Sequence, residues 1–105
     1  METLRARVEQ LENKNQFVIK TNEALFFQSY SSICAICKDG KLTFGVNWDY
    51  SNTTRKHLYI FIEGWCYIAI EDREAIYNAL SSSNKRKAFQ KLIDDGIINY
   101  DGALV

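Results

Sequence analysis

The three cysteines and the single histidine are the side chains of this chain best suited to hold a metal or act as nucleophile and base. Cys34-Ala35-Ile36-Cys37-Lys38-Asp39-Gly40 has the spacing of a zinc knuckle, and His57 and Cys66 would complete a Cys3His set. A knuckle needs both thiols on one side of a tight turn. In a strand, residues three apart point to opposite faces, and the flanking Ile33 and Ile36 favour a strand. The expectation is therefore three reduced, largely buried cysteines without a metal, with a zinc protein kept as the remote alternative. A thioredoxin-like pair is a poorer reading, because no helix N-terminus follows to stabilise a thiolate. His57 opens an apolar stretch, and no Gly-rich phosphate loop, His-Glu-x-x-His or Gly-x-Ser-x-Gly occurs. The acidic pairs Glu71-Asp72 and Asp94-Asp95 are accounted for by helix caps or solvated ends. No catalytic residue, no cofactor and no enzymatic activity are expected.

Binding chemistry is better represented. Lys85, Arg86 and Lys87 fall in the first turn of a predicted helix and Asp94 and Asp95 in its last. That is the reverse of what the helix macrodipole favours, each misplaced charge costing about 0.3–1 kcal/mol. Cations beside free backbone amides at a helix N-terminus suit phosphate or an acidic protein surface. The stretch Asn47-Trp48-Asp49-Tyr50-Ser51-Asn52-Thr53-Thr54-Arg55-Lys56 mixes aromatics with two cations, as binding surfaces do. Trp48 is in phase with Leu42, Phe44 and Val46 and belongs to the core. Tyr50, Arg55 and Lys56 have no core phase to satisfy, so with Lys85, Arg86 and Lys87 they form the expected partner-binding set.

The element expected to organise these groups is N-terminal. Leu4, Leu11, Val18 and Leu25 recur every seven residues, which reads as the d positions of a coiled coil, with Met1, Val8, Asn15 and Asn22 at a. Buried a-position amides pair across a parallel two-stranded coil, and Arg7 and Glu12 fit its g-to-e′ ion pair. Leu4, Val8, Leu11, Asn15, Val18, Asn22 and Leu25 are thus the expected dimerisation residues.

The segment Val8-Glu9-Gln10-Leu11-Glu12-Asn13-Lys14-Asn15 resembles the dimeric leucine zippers of basic-zipper transcription factors. The resemblance covers about a fifth of the chain. Only Met1-Glu2-Thr3 precedes Leu4, so the basic, DNA-reading helix of that family has no counterpart and the likeness implies dimerisation alone.

Beyond Ser29 the pattern changes. Ile33–Cys37 and Leu42–Trp48 flank Asp39-Gly40, a hairpin with a two-residue turn. His57–Glu63 and Trp65–Ile70, apolar on both faces, read as two further strands about Gly64. Asp72 is expected to cap a helix from Arg73 to Leu80, and Ser83 a second one through Asp95 that stops at Gly96. Ile97–Tyr100 reads as a short final strand. The expected fold is α+β: an N-terminal coiled-coil helix, a four-stranded antiparallel meander, two C-terminal helices and a short final strand. The expected division is a dimerisation helix over 1–28 and a small α+β domain over 29–105.

The 13 Lys and Arg balance 13 Asp and Glu, so no global field draws the chain to nucleic acid or an anionic membrane. An odd number of cysteines, no cleavable apolar leader and no apolar run near 18 residues predict a reducing, cytoplasmic setting without membrane insertion. The absence of proline and the abundance of Asn, Lys, Ile, Tyr and Phe resemble small phage or mobile-element proteins. The sequence is read as a non-enzymatic, parallel homodimeric interaction protein that binds a protein partner and blocks or recruits it, as phage accessory inhibitors and anti-defence proteins do. A dimeric nucleic-acid-binding regulator is the alternative.

Overall fold

The computed structural model describes residues 6–11 and 14–105. Period-two burial sets the first half of the chain. Gln16 and Val18 are buried while Phe17 and Ile19 are not; Phe27 and Ser29 are buried while Phe26 and Gln28 are not; Leu42 and Phe44 are buried while Thr43 is not. Each run is a strand with one face on the core. The strands are β1 (Ala6–Gln10), β2 (Gln16–Thr21), β3 (Leu25–Ser29), β4 (Ser32–Lys38) and β5 (Lys41–Gly45). They pair as an antiparallel meander in sequence order. The chain then forms α1 (Asn52–Gly64), α2 (Ile70–Leu80) and α3 (Lys85–Asp94). It returns as β6 (Asn99–Asp101), parallel to β5 at the sheet edge. A parallel neighbour requires such a long crossover, and the three helices provide it.

The helices meet one face of the sheet. Phe27 of β3 stacks on Phe61 of α1 at 5.8 Å, and Phe44 of β5 lies 5.9 Å from Phe89 of α3. Trp48 packs on Phe44 at 5.2 Å and is buried, though not by strand phase: β5 ends at Gly45, and Val46, in the same phase, is 41% exposed. The core continues through Val18, Ala35, Leu42, Leu58, Ile62, Ile76 and Ile98.

The Asp39-Gly40 turn is observed, both residues having positive φ (52° and 80°), the geometry that a two-residue hairpin turn demands. Helix α3 is also found close to its predicted span. Its cap is Asn84 rather than Ser83, the Asn84 Oδ1 accepting from the Lys87 N–H at 3.1 Å. It stops at Gly96 (φ 78°), with the Gly96 N–H donating to Ile93 O and the Ile97 N–H to Leu92 O, a Schellman closure. Helix α2 begins at Ile70, so Asp72 lies inside its first turn instead of capping it.

The N-terminal helix is overturned. Val8 sits in β1, Leu11 follows it, Asn15 precedes β2, Val18 is core in β2, Asn22 lies in the β2–β3 turn and Leu25 opens β3. Leu4 and Glu12 lie outside the described residues. The seven-residue recurrence therefore comes from strands rather than from one helix face, and no coiled-coil seam joins these residues. The polar positions explain why. Thr21 Oγ1 accepts from the Glu23 and Ala24 N–H groups at 3.1 Å each, and the Thr21 N–H donates to Ala24 O, so Asn22 is a turn residue, as its type favours. Strand β3 runs across the expected division at residues 28 and 29.

The two expected strands over 57–63 and 65–70 are corrected as well: the first is the second half of α1, and the second is the connection to α2. Thr54, His57, Leu58, Phe61 and Ile62 are buried at helical spacing. Ser51 caps them, its side chain accepting from the Thr54 N–H at 3.1 Å.

Candidate functional site

A cleft of about 500 Å³ opens where the β3–β4 turn meets the N-terminus of α1. Its wall is rich in hydroxyls: Ser29, Ser32, Ser51, Thr53 and Thr54, with Tyr30 and Tyr50 also on it. Ser51 Oγ donates to Thr54 Oγ1 at 3.1 Å, and Thr54 Oγ1 shares a 2.9 Å hydrogen bond with the buried Ser29 Oγ. Asn47 Nδ2 donates to Ser32 Oγ at 3.1 Å and fixes the opposite wall. Tyr30 has a φ of 54°, unusual for an aromatic residue, so its backbone must be held there. Its N–H donates to Asn15 O at 2.7 Å, and the Gln28 amide donates to its carbonyl at 2.6 Å. The cleft carries no carboxylate, lysine, arginine or histidine on its wall, and the Cys34 thiol also faces it.

Of the expected partner-binding residues Tyr50 lies on the wall of this cleft, and an ion pair joins the two segments that carry the set. The Arg86 guanidinium of α3 meets the Asp49 carboxylate at 3.0 Å. Arg55 of α1 donates to the Asp49 carbonyl at 3.0 Å and to the Asn52 side chain. Asp49 thus ties the first turn of α3 to the loop before α1. Tyr50, 73% exposed, stands next to it on the cleft wall. Of the predicted cations, Arg55 and Arg86 build this junction. Lys85 reaches the Ser82 carbonyl at 3.4 Å, and Lys56 and Lys87 are exposed with no partner among the described residues. At the far end of α3, Asp95 is paired with Lys91 at 3.1 Å, so the unfavourable charges there are offset locally.

Tyr59 was not foreseen. It stacks on Phe89 at 5.2 Å, its hydroxyl is buried without a partner among the described residues, and burial raises its pKa above the usual tyrosine value. Arg55, Asp49 and Arg86 act on it electrostatically, so it forms the floor beneath that junction. Its position was legible from helical spacing after Arg55, which a strand reading of the same stretch conceals.

The cysteines and His57 occupy separate surroundings. The Cys34 thiol donates to Asn47 O at 3.4 Å, and burial pushes its pKa up to about 11 against a hydrogen bond from the Ser29 backbone. Cys37 donates to Tyr67 O at 3.5 Å and is hydrogen-bonded to Cys66. The shared hydrogen bond lowers the Cys37 pKa and raises that of Cys66. His57 Nδ1 donates to Thr53 O at 2.8 Å, and the buried Nε2 has no partner among the described residues. Among the described residues no group of three or more His, Cys, Asp or Glu could hold a metal ion. No helix among them is long and apolar enough to cross a membrane.

Residues 4–79 match the model of a family described as "Family of unknown function (DUF8033)", and the chain belongs to that family. No curated protein and no solved structure matches the chain.

Proposed function

We propose that this DUF8033 member is a non-enzymatic interaction protein that binds an acidic protein partner and blocks or recruits it. The observation that carries the reading is the Arg86–Asp49 ion pair. It joins two segments chosen independently, one for charges that oppose helix stability and one for an aromatic without a core role. Lys56, Lys85 and Lys87, next in sequence to Arg55 and Arg86, are exposed cations, and Tyr50 supplies the kind of rigid aromatic that anchors interfaces. The neutral cleft beside it offers hydroxyls to a partner side chain or backbone. Three free thiols agree with a reducing, cytoplasmic setting.

A nucleic-acid-binding regulator would use the same cations, and salt separates the two. Phosphate contacts release counterions, so affinity falls steeply as salt rises; contacts to an acidic protein surface also weaken with salt, but those of Tyr50 do not, so the slope is shallower. The test is affinity capture with the intact chain, with and without nuclease, over a salt series. A protein retained after nuclease treatment with a shallow salt slope supports the proposal; retention that nuclease abolishes gives the surface to nucleic acid.

A further inference from the structure

The helices leave the second face of the sheet uncovered among the described residues. Ser29 with Thr54, Phe27 with Phe61, Phe44 with Phe89 and Cys37 with Tyr67 meet the helices and their connection on the inner face, while at the hairpin end Lys41 turns to Asp72 of α2 at 3.5 Å. The register places Val8, Ile19, Phe26, Ile36 and Thr43 side by side across β1 to β5 on the other face. The neighbouring row runs Gln10, Phe17, Gln28, Ile33. Val8 is 58% exposed; Phe17, Ile19, Phe26, Ile33 and Ile36 are partly exposed, and none of them packs on the core cluster. The chain's tail covers the corner at Gly45, where an added Cβ would stand 2.6 Å from Leu104 O.

We infer that this face is covered by a second copy of the chain, in a reversible face-to-face dimer. Three features select that occupant. First, the two rows carry no charge, so the face is complementary to itself and offers nothing to pair with a charged partner. Second, two identical sheets have identical twist, which lets their rows interdigitate at the shallow angle of aligned sheet packing. Third, the size fits a weak dimer. Five strands at ~4.8 Å and two to three rows of side chains give roughly 400 Å² per copy in projection, about half of the ~800 Å² per partner of a standard interface. Such a contact dissociates in the micromolar range instead of being obligate.

The border of the face also fixes the arrangement. Lys38 borders the hairpin end of the same face, opposite Lys41, whose ammonium is paired with Asp72 of α2. A two-fold axis running across the strands along the Phe26 row sets the Lys38 end of one copy at the opposite rim from that of the other, and avoids stacking like charges. The inference does not depend on the partner surface at Asp49, which belongs to the loop and helix side of the molecule.

Sedimentation velocity over a range from about 1 to about 500 µM tests the inference, with Phe26→Lys and Thr43→Lys as variants. Thr43 is already polar and partly exposed, so its replacement keeps the test open if Phe26→Lys folds poorly. The wild type is expected to move from 12.2 kDa toward twice that mass, with no loss of dimer as salt rises. Both variants are expected to weaken association at least tenfold with unchanged far-ultraviolet circular dichroism. A wild type that stays monomeric throughout, a dimer that both folded variants retain, or a dimer that salt dissolves would overturn it.

Discussion

Arg86 and Asp49 are 37 residues apart in the chain, and their side chains meet at 3.0 Å between the first turn of α3 and the loop that leads into α1. Arg86 is 61% exposed, so the pair is a surface bridge whose contribution to stability is small. Its consequence is geometric: it holds Tyr50, Arg55 and the α3 cations in one neighbourhood. A double-mutant cycle with Asp49→Ala and Arg86→Ala, measured by chemical denaturation, should return a coupling of only about 0.2–1 kcal/mol.

The hairpin turn carries a larger and more local constraint. Gly40 has a φ of 80°, and a Cβ there would stand 2.9 Å from the Ala69 nitrogen, whose N–H donates to Gly40 O. Gly96 has a similar φ of 78°, with nothing near its absent Cβ. Gly96→Ala should therefore cost about 1 kcal/mol through backbone conformation alone. Gly40→Ala should cost more, by about 1–3 kcal/mol, because Ala69 and its hydrogen bond must also shift. Equal denaturation midpoints for the two variants would contradict the close approach of the turn to Ala69.

Gln16 is fully buried on β2, opposite Ser29, and neither end of its side-chain amide has a hydrogen-bond partner among the described residues. An unpaired buried amide costs about 1–3 kcal/mol. Replacing Gln16 by the similarly sized Leu should therefore stabilise the protein, raising the melting temperature by several degrees. Calorimetry reads the sign directly.

The Cys34 thiol, pushed up to about 11 by burial, makes stability depend on alkaline pH. Its folded pKa lies above the unfolded value of about 9, so the unfolded chain releases this proton first as pH rises. The contribution is complete below about pH 9 and is lost as pH climbs through about 11. Cys34→Ala should flatten that part of the stability profile. In the folded wild type, alkylation at Cys34 should be slow at neutral pH, because the reactive thiolate is scarce and buried.

Elements with local punctuation were legible in the sequence. Asp39-Gly40 specified its turn and Gly96 ended α3, whereas Trp48 reached the core from the loop after β5 rather than by strand phase. The N-terminal half was misread because two periods compete there. Leu4, Leu11, Val18 and Leu25 satisfy a heptad, while the alternation that the strands use is blurred by Phe17, Ile19 and Phe26, apolar residues on the uncovered face. Asn15 and Asn22 then fit an a-position role as readily as the turn chemistry that they perform. In α1 the β-branched and aromatic run from Leu58 to Ile62 masked a helical stripe that Ser51 and Thr54 announce. The residues of the partner surface were named by their chemistry alone. Their adjacency was not legible, because it rests on Asp49, a loop residue whose long-range partner has no local signature.

The central claim, that the surface around Asp49 binds a partner, is tested most directly by reversing two of the three cations that the junction does not use. Quantitative affinity capture would compare the wild type with Lys85→Glu/Lys87→Glu at matched salt, with circular dichroism confirming an unchanged fold. Removing positive charge from the first turn of α3 should leave stability unchanged or slightly higher, by about 0.3–1 kcal/mol for each charge. The account predicts that a protein captured by the wild type falls at least tenfold in the variant. An identical set of captured proteins in identical amounts would contradict it.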